Sequence, residues 1–464
     1  MVFSSLTFLM MFLPLCALAY FLCRNRVYRN TVLLIFSLLF YSWGEPKAII
    51  LMLLAAVEAY LGGLAISRLE GTSRKKPVFI LTVGLLTANL VIFKYLNFAV
   101  RTVESVTGVN FALREIALPI GISFYTFQIL SYVIDLYRGE IALQRNPFYL
   151  MLYVSFFPQL IAGPIVRYKT IEQEITLRRE SLPEAAAGCR RFIVGLAKKV
   201  IIANNVARVA EIVYSSTGDE YGTLMYWVAA LAYTFQIYYD FSGYSDMAIG
   251  LGRIFGFHFT ENFDYPYTAV SVTDFWRRWH ISLSRWFRDY IYIPLGGGRT
   301  SRLKWIRNIL VVWGLTGLWH GADWNFVIWG LYFAVLLVLE KLALKRPLEW
   351  LPRFVGGIYT FFVVNVSWVI FNLTDWKQLL NAFSVMFTFR STDLPGVMLA
   401  DPSILNAAMY LPLALLFSFP VAKALGKRLK VPEAAANLGC LVLLALSMVY
   451  IVSSSFNPFI YFRF

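Results

Sequence analysis

The sequence contains little charge and few histidines. Of its 464 residues, 15% are Asp, Glu, Lys or Arg, and three are histidine. A soluble globular chain carries about 25% charged residues. Disordered chains and coiled coils carry more charge still, so this composition excludes both classes. Acidic residues are fewer than basic ones, with 27 Asp and Glu against 42 Lys and Arg.

Cysteine and the usual cofactor motifs are also scarce. The four cysteines form no C-x-x-C pair and no metal-ligand spacing, so we interpret them as packing residues. No P-loop, dinucleotide fingerprint or nucleophile elbow occurs. The sequence therefore predicts neither a bound metal nor a bound cofactor.

Hydrophobic residues make up 59% of the chain and aromatic residues 17%. Apolar stretches recur from residue 1 to residue 464, with no soluble block between them. A membrane helix needs about 20 apolar residues, so the sequence predicts an all-α polytopic integral membrane protein with about 10–12 transmembrane helices. We expect one domain over 1–464, with N-terminal helices in 1–116, a core in 117–345 and C-terminal helices in 346–464.

The basic residues indicate how the chain is oriented. Clusters at 24–29, 68–76, 341–346 and 423–430 fall on one side if both termini are extracytoplasmic. Under the positive-inside rule these loops are cytoplasmic. That rule explains the net charge of +15 without nucleic acid, so lipid is the predicted surrounding and no nucleic-acid partner is expected. The 373–407 loop would then face outside.

The region 235–325 holds all three histidines and many polar residues. Polar groups at membrane depth are costly, and those that persist usually line a cavity or pathway. In 238–250, Asp240, Tyr244 and Asp246 interrupt an apolar stretch. We favour carboxylates that hold helices together through arginine or hydroxyl partners. The alternative is that they support a catalytic base or a substrate hydroxyl.

A second polar segment covers 273–299. Thr273 or Asp274 can cap a helix that ends before Pro294, and on one continuous helix His280 and Ser284 share a face. Such a basic, tryptophan-rich helix suits a membrane interface. The alternative is that its arginines bind an anionic, phosphate-bearing donor. The arginines concerned are Arg277, Arg278, Arg285 and Arg288.

The third segment, 313–325, contains His320 near the end of an apolar helix. A histidine there can be structural, bonding terminal carbonyls, or it can act as a general base for a hydroxyl. The scarcity of histidine favours a function for His280 and His320. His258 has no polar neighbours in the sequence, and we interpret it as structural.

Six segments of the sequence form a pattern in this order: 1–5 (MVFSS), 119–140, 157–167, 240–252, 275–297 (FWRRWHISLSRWFRDYIYIPLGG) and 317–330 (GLWHGADWNFVIWG). Together they resemble the membrane-bound O-acyltransferase (MBOAT) family, near its alginate O-acetyltransferase, peptidoglycan O-acetyltransferase and teichoic-acid D-alanyl transferase branches. The resemblance implies transmembrane and re-entrant helices around a central tunnel. It also implies that His320 matches the catalytic histidine and His280 the second invariant one, while Asp240, Tyr244 and Asp246 match a motif of less settled role.

The resemblance further implies acyl transfer in a bacterial inner membrane. Acetyl-CoA would donate an acetyl group from the cytoplasm, for O-acetylation of an extracytoplasmic polysaccharide such as alginate. Transfer could be direct or pass through a periplasmic or surface acetyltransferase. Alternatives are a carrier-protein thioester used for D-alanylation, and peptidoglycan or cellulose as acceptor. From another class, a transporter or flippase of an acylated intermediate would need the same polar interior. A third alternative is a scaffold that docks a secreted acetyltransferase through the 373–407 loop.

Overall fold

The computed structural model describes residues 1–111, 115–216, 220–391, 396–397, 401–429, 431–454 and 456–458. Every regular element within these ranges is helical, so the predicted all-α class is confirmed. The 373–407 loop lies partly outside the described residues. By its internal contacts the chain divides into two compact units, and the prediction of a single domain stays a prediction.

The first unit comprises Met1–Phe192 and Met247–Thr260. Its helices in chain order are α1 (Leu13–Phe21), α2 (Arg26–Gly44), α3 (Ala48–Arg68), α4 (Lys75–Leu90), α5 (Leu96–Thr107), α6 (Ile122–Arg138), α7 (Pro147–Ser155), α8 (Phe157–Leu160), α9 (Tyr168–Leu177) and α10 (Leu182–Ala197), the last ending beyond the unit. Helices α3 and α4 pack closely where Gly62 faces Thr82, because a Cβ at Gly62 would lie 2.3 Å from the threonine methyl. Small residues at such crossings allow membrane helices to approach.

The second unit comprises Ile193–Asp246 and Glu261–Phe464. Its helices are α11 (Asn204–Ser215), α12 (Thr223–Ile254, ending in the first unit), α13 (Val272–Arg278), α14 (Ile281–Phe287), α15 (Arg302–His320), α16 (Trp324–Leu339), α17 (Lys345–Trp350), α18 (Arg353–Asn372), α19 (Trp376–Phe387), α20 (Pro402–Ala408), α21 (Leu411–Phe417), α22 (Val421–Leu429) and α23 (Glu433–Ser453). Short π-helical turns continue several helices, at Phe8–Phe12, Val91–Tyr95, Lys198–Ala203, Arg288–Tyr292 and Glu340–Leu344.

Five helical stretches among the described residues are long and apolar enough to cross a membrane. They are Ala48–Arg68, Lys75–Thr107, Trp324–Trp350, Arg353–Asn372 and Glu433–Ser453. Two shorter apolar stretches, Phe8–Phe21 and Pro402–Phe417, have 10–17 residues each. The polytopic character is thereby confirmed, whereas the number of about 10–12 crossings stays a prediction.

The prediction of one continuous amphipathic helix over 273–294 is wrong. The helix stops at Arg278 and a new one starts at Ile281, with His280 between them in the left-handed region at φ 42°. The cap also differs from the prediction, because the Ser271 side chain accepts from the backbone N–H of Asp274. All five tryptophan and phenylalanine side chains of the segment are buried, so it is a core element rather than an interfacial anchor.

Candidate active site

His320 is the last residue of α15 and is 4% exposed. Its position depends on close packing of α15 against α16, where glycines replace larger side chains. A Cβ at Gly317 would lie 2.3 Å from the carbonyl oxygen of Phe326, and one at Gly330 would lie 2.3 Å from that of Trp313. The two helices can therefore approach closely only with glycine at these positions.

His280 lies at the break between α13 and α14 and is 1% exposed. The backbone groups at the break bond to a preceding segment: the N–H of Ile281 donates to the carbonyl of Asn262, and that of Asp264 donates to the carbonyl of Arg278. These bonds replace the helical ones that the break removes. A left-handed non-glycine residue carries backbone strain, and such strain clusters at functional sites.

The structure brings the two predicted histidines together. Their ring centroids are 6.4 Å apart, and both rings pack against Trp319, at 5.6 Å from His280 and 5.0 Å from His320. Phe241 of α12 covers His280 at 4.6 Å, and Phe371 of α18 contacts His320 at 5.4 Å. Two imidazoles therefore lie close together in a buried, largely aromatic environment.

The side chain of Asn262 determines the proton position on His280. Its Oδ1 accepts from the backbone N–H of Ser282 at 3.2 Å, which identifies that atom as the oxygen, and its Nδ2 donates to Ser245 at 3.0 Å. Nδ1 of His280 lies 3.1 Å from the same Oδ1 and must therefore be the protonated nitrogen.

The other nitrogen of His280, Nε2, is buried and has no hydrogen-bond partner among the residues that the structure describes. Burial, with His320 as a smaller second cause, lowers the pKa of His280 well below its usual value. The ring is therefore neutral near pH 7, and its Nε2 carries a lone pair that can accept a hydrogen bond.

Ser284, predicted to share a face with His280, makes only a backbone contact with it. The N–H of Ser284 donates to the carbonyl of His280 at 3.1 Å. The hydroxyl beside the imidazole belongs to Ser282, whose Oγ is 3.5 Å from Nδ1 of His280 and donates to Asn262 at 2.8 Å. The break in the helix explains the difference, because it changes which side chain follows His280 on its face.

The predicted carboxylates of α12 pair with consecutive lysines, a type of partner that we did not expect from the sequence. Asp240 lies 2.8 Å from Lys199, and both side chains are 2% exposed. Asp246 lies 2.6 Å from Lys198, with side chains 15% and 27% exposed. Tyr244, one turn after Asp240, is 2% exposed. The lysines stand in the turn Lys198–Ala203, so the pairs connect that turn to α12.

The four arginines predicted to bind a donor differ in their contacts. Arg278 pairs with Asp274 at 3.1 Å, and Arg288 pairs with Asp289 at 2.7 Å. Within the described part of the chain, Arg277 and Arg285 are exposed and make no ion pair. The charges of Arg277 and Arg285 are therefore not offset by a neighbouring carboxylate of the described residues, and a donor-binding role for the set stays a prediction.

The interpretation of His258 as lacking polar neighbours is wrong. Its ring Nδ1 lies 2.7 Å from Glu174, whose other oxygen accepts from the backbone N–H of His258 at 3.0 Å. A second carboxylate, that of Glu184, lies 3.7 Å from Nε2. Glu174 is 84 positions before His258 in the chain, so the local sequence does not reveal this contact.

Sequence reasoning missed three residues that shape this site. Asn262 orients His280, and Glu340 accepts from the backbone N–H groups of Val272 and Thr273 at 2.6 and 3.0 Å, which anchors the start of α13. Trp329 packs on His320 at 5.0 Å, is fully buried, and has an indole N–H without a partner among the described residues. A buried acid such as Glu340 in an apolar helix was the one signal available beforehand.

Comparison with known proteins places this site in a family. Residues 35–374 match the MBOAT, membrane-bound O-acyltransferase family. The chain is 38% identical to the "Probable alginate O-acetylase AlgI" of Azotobacter vinelandii, with 100% of both proteins aligned. It is 40% identical to the protein of that name in Pseudomonas aeruginosa, over 94% of this chain and 85% of the relative. It is 30% identical to a peptidoglycan O-acetyltransferase of Helicobacter pylori, over 100% of this chain and 98% of the relative.

The match covers the histidines, the asparagine and the helices that hold them. A family match over more than half of the chain, with relatives aligned end to end, leaves no part of the described site outside the comparison. The chain therefore belongs to the membrane-bound O-acyltransferase family and is a polytopic membrane O-acyltransferase.

Proposed function

We propose that this enzyme transfers an acetyl group from a cytoplasmic thioester for O-acetylation of an extracytoplasmic polysaccharide, with alginate as the first candidate. The observation that carries the proposal is the buried pair of His280 and His320, whose ring centroids are 6.4 Å apart. The choice of acetyl and alginate is supported by relatives named alginate O-acetylases, at 38–40% identity. Acetyl-CoA is the proposed donor, and the bacterial inner membrane the proposed location.

His320 is the proposed general base. It removes the proton of the acceptor hydroxyl while that oxygen attacks the carbonyl carbon of the thioester. The tetrahedral intermediate then collapses, the C–S bond breaks, and the thiolate takes the proton from the imidazolium. Positioned base catalysis contributes typically ~10²–10⁴-fold, which is the expected loss when His320 is removed.

His280 is proposed to orient a substrate group rather than to stabilise the oxyanion. An oxyanion needs an N–H donor, but Nδ1 of His280 already donates to Asn262 and Nε2 is unprotonated in the neutral ring. Nε2 can accept from a hydroxyl or an amide N–H of a substrate. This supports an orienting role for His280.

Trp329 is the proposed donor to the oxyanion. Its indole N–H is buried and unbonded among the described residues, and its ring packs directly on His320. An unsatisfied buried donor costs stability, and such groups are kept where they serve a ligand or a reaction. The developing negative charge on the thioester oxygen would satisfy it in the transition state only, which is the condition for catalysis.

The acceptor hydroxyl belongs either to the polysaccharide or to a periplasmic or surface acetyltransferase that relays the acetyl group. Both acceptors present the same group to His320, so the first step is identical. Arg277 and Arg285, as exposed cations without an ion pair in the described residues, are proposed to contact the phosphates of the donor.

The test uses purified wild type, His320→Ala and a control, His258→Ala, in detergent. His258 is half exposed and pairs with Glu174. Its replacement therefore shows whether the loss of any histidine lowers activity. Each protein receives acetyl-labelled CoA, with an alginate oligosaccharide or a small alcohol as acceptor. Thiol release and transferred label are measured, and thermal unfolding confirms that the variants fold.

We expect thiol release and label transfer by the wild type and His258→Ala, and a loss of at least 10²-fold in His320→Ala. Equal activity in all three proteins would contradict the role of His320. If wild type leaves acetyl-CoA intact but cleaves a D-alanyl thioester on a carrier protein, the donor assignment is wrong. Movement of an acylated compound across vesicles without thioester cleavage would instead identify a transporter.

A further inference from the structure

The second unit contains a cavity of about 680 Å³ between α11 and the ends of α20 and α23. Its walls combine a cation, amides and aromatic rings. These groups belong to Asn204, Arg208, Asn406, Tyr410, Tyr450 and Phe456. We call it the Arg208 cavity. Neither His280 nor His320 lines it, so it is distinct from the site described above.

Arg208 supplies the positive charge of the cavity. Its guanidinium donates to the hydroxyl of Ser454 at 3.2 Å and lies over the ring of Phe456 at 5.3 Å. Among the described residues it forms no ion pair, although Glu211 follows one turn later in α11. A half-buried arginine that is held in place, with its charge unpaired and several N–H groups still available, suits a carboxylate or phosphate ligand.

The remaining walls favour a hydroxylated ligand. Asn406 lies at the rim, is exposed, and makes no hydrogen bond within the described residues. The phenols of Tyr410 and Tyr450 bond to each other, which leaves their rings as fixed walls. Amides pair with hydroxyl groups, and aromatic faces pack on the apolar faces of sugar rings. A purely apolar ligand would leave these polar groups unpaired.

The cavity lies at the end of a membrane-spanning helix. The apolar helix α23 ends at Ser453, which lines the cavity together with Ser454. The charge pattern of the loops predicts that this end is extracytoplasmic. A hydrophilic polymer outside the membrane could therefore reach it, whereas a cytoplasmic donor could not.

Phe456 also lines a neighbouring cavity of about 260 Å³, together with Gln236, Glu211 and Asn372. Asn372 directly follows Phe371, whose ring contacts His320. The carboxylate of Glu211 would repel an anion in this smaller cavity. An acidic ligand therefore has one favourable place for its charge, beside Arg208, and neutral parts can extend past Phe456.

We propose that the Arg208 cavity binds the acceptor polysaccharide through one uronate unit, with Arg208 holding its carboxylate and Asn406 bonding its hydroxyls. The inference rests on the proposed function, because it names the chemistry of the acceptor for that reaction. It adds the place where a uronate unit of the acceptor is held, which is separate from the histidines.

The test measures binding of an oligomannuronate and of a neutral oligomannose of equal length, by calorimetry in detergent without any donor. The proteins are wild type, Arg208→Gln, Asn406→Ala and a control, Arg353→Gln, which changes an exposed arginine elsewhere. We expect wild type and the control to prefer the uronate. Loss of the charge-assisted bonds should weaken uronate binding by about tenfold or more in Arg208→Gln, and added salt should reduce the preference.

Equal binding of charged and neutral sugars by wild type, or unchanged uronate binding by Arg208→Gln, would overturn the proposal. The proposal would also be overturned if Arg208→Gln lost binding to phosphatidylglycerol vesicles but kept its binding to the uronate. That result would identify the cavity as a site for a lipid headgroup. Asn406→Ala removes an exposed side chain that makes no hydrogen bond within the described residues, so we expect this variant to fold. Its uronate binding therefore tests the cavity even if Arg208→Gln fails to fold. Thiol release with a small neutral alcohol, measured separately, tests the proposed reaction independently, and Arg208→Gln should retain it.

Discussion

The side-chain oxygen of Asn262 lies 3.1 Å from Nδ1 of His280, and this contact determines which nitrogen of the imidazole faces the site without a proton. The same oxygen accepts from the backbone and hydroxyl of Ser282. Asn262 is thus a positioning residue, because it acts through His280. Groups that orient a catalytic side chain in this way are typically worth about 10–100-fold.

Replacement of Asn262 tests this role. We expect Asn262→Ala to lower kcat about 10–100-fold, because the imidazole loses its fixed tautomer. Asn262→Asp keeps the acceptor but adds a negative charge, which raises the pKa of His280. As the pH is lowered, the activity of Asn262→Asp should therefore begin to fall at a higher pH than that of the wild type. The measurement is the pH profile of kcat.

The control for this experiment is Asn30→Asp, which places a carboxylate at another buried amide, bonded to the carbonyl of Ile175. It should lower thermal stability without moving the pH profile. If Asn262→Asp has the pH profile of the wild type, or if Asn262→Asp and Asn30→Asp shift the profile equally, the prediction is wrong. Asn262 would then contribute packing volume and would not set the protonation of His280.

The indole N–H of Trp329 provides the second prediction. Trp329→Phe keeps an aromatic ring beside His320 and removes a buried donor that has no partner among the described residues. Loss of an oxyanion donor costs about 10²–10³-fold in kcat, whereas the smaller ring lowers the melting temperature only by the effect of the core volume that is removed. The expected result is a folded enzyme with low turnover.

Trp276→Phe is the matched control. Within the described part of the chain, the N–H of Trp276 also lacks a partner, but its ring packs on Trp313 and Trp329 and not on a histidine. It should retain near wild-type kcat. Equal loss of activity in the two variants would show that ring volume matters, and would remove Trp329 from the mechanism.

The general plan of this protein was predictable because long apolar stretches and three histidines are strong signals. Both His280 and His320 were identified as candidates by their scarcity and their polar segments, and the structure places their rings together. The resemblance to the family depended on the same segments. The length of the apolar stretches therefore sufficed to predict the helical class, and the rarity of histidine sufficed to select His280 and His320.

The contacts that make the site specific were not predictable from local patterns. Asn262 is 18 positions before His280 and Lys198 is 48 positions before Asp246, so no helical period connects either pair. The helix break at His280 depends on backbone bonds from Asn262 and Asp264, which a periodicity of 3.6 cannot indicate. For the same reason the paired carboxylates of His258 were missed.

The buried pair of Lys199 and Asp240 gives the third prediction. Asp240→Ala removes the carboxylate from a buried ion pair with Lys199, and such a loss costs about 3–5 kcal/mol. Asp246→Ala removes the more exposed pair with Lys198 and should cost less. The double variant Lys199→Met, Asp240→Leu should recover most of the stability. Thermal unfolding in detergent measures all three.

Activity of the double variant distinguishes the two interpretations of Asp240. If it is stable and transfers acetyl groups, Asp240 has only the structural role that its lysine partner suggests. If it is stable but inactive, the carboxylate supports the reaction. A single Asp240→Ala variant as stable as Asp246→Ala would contradict the energetic argument itself.

Glu180 gives the last prediction, which concerns stability at low pH. Its carboxylate lies between three arginines, with Arg26 at 2.6 Å, Arg29 at 2.7 Å and Arg178 at 3.5 Å, and it accepts from the phenol of Tyr20. Burial alone would raise the pKa of Glu180, but the hydrogen bonds from Arg26 and Tyr20 outweigh it and lower that pKa to about 2. In the unfolded chain the pKa of a glutamate is about 4.3.

Because the folded pKa lies below the unfolded one, Glu180 contributes stability that is complete above about pH 4.3 and is lost as the pH falls towards about 2. The melting temperature of the wild type should therefore drop more steeply over this interval than that of Glu180→Gln, and the two curves should converge at the acid end. Glu70→Gln is the control, because Glu70 is 69% exposed in its pair with Lys75 and should follow the wild-type curve. A constant difference in melting temperature between wild type and Glu180→Gln from pH 6 to pH 2.5 would contradict this prediction. It would mean that the side chain of Glu180 stabilises the three arginines through its shape and not through its charge.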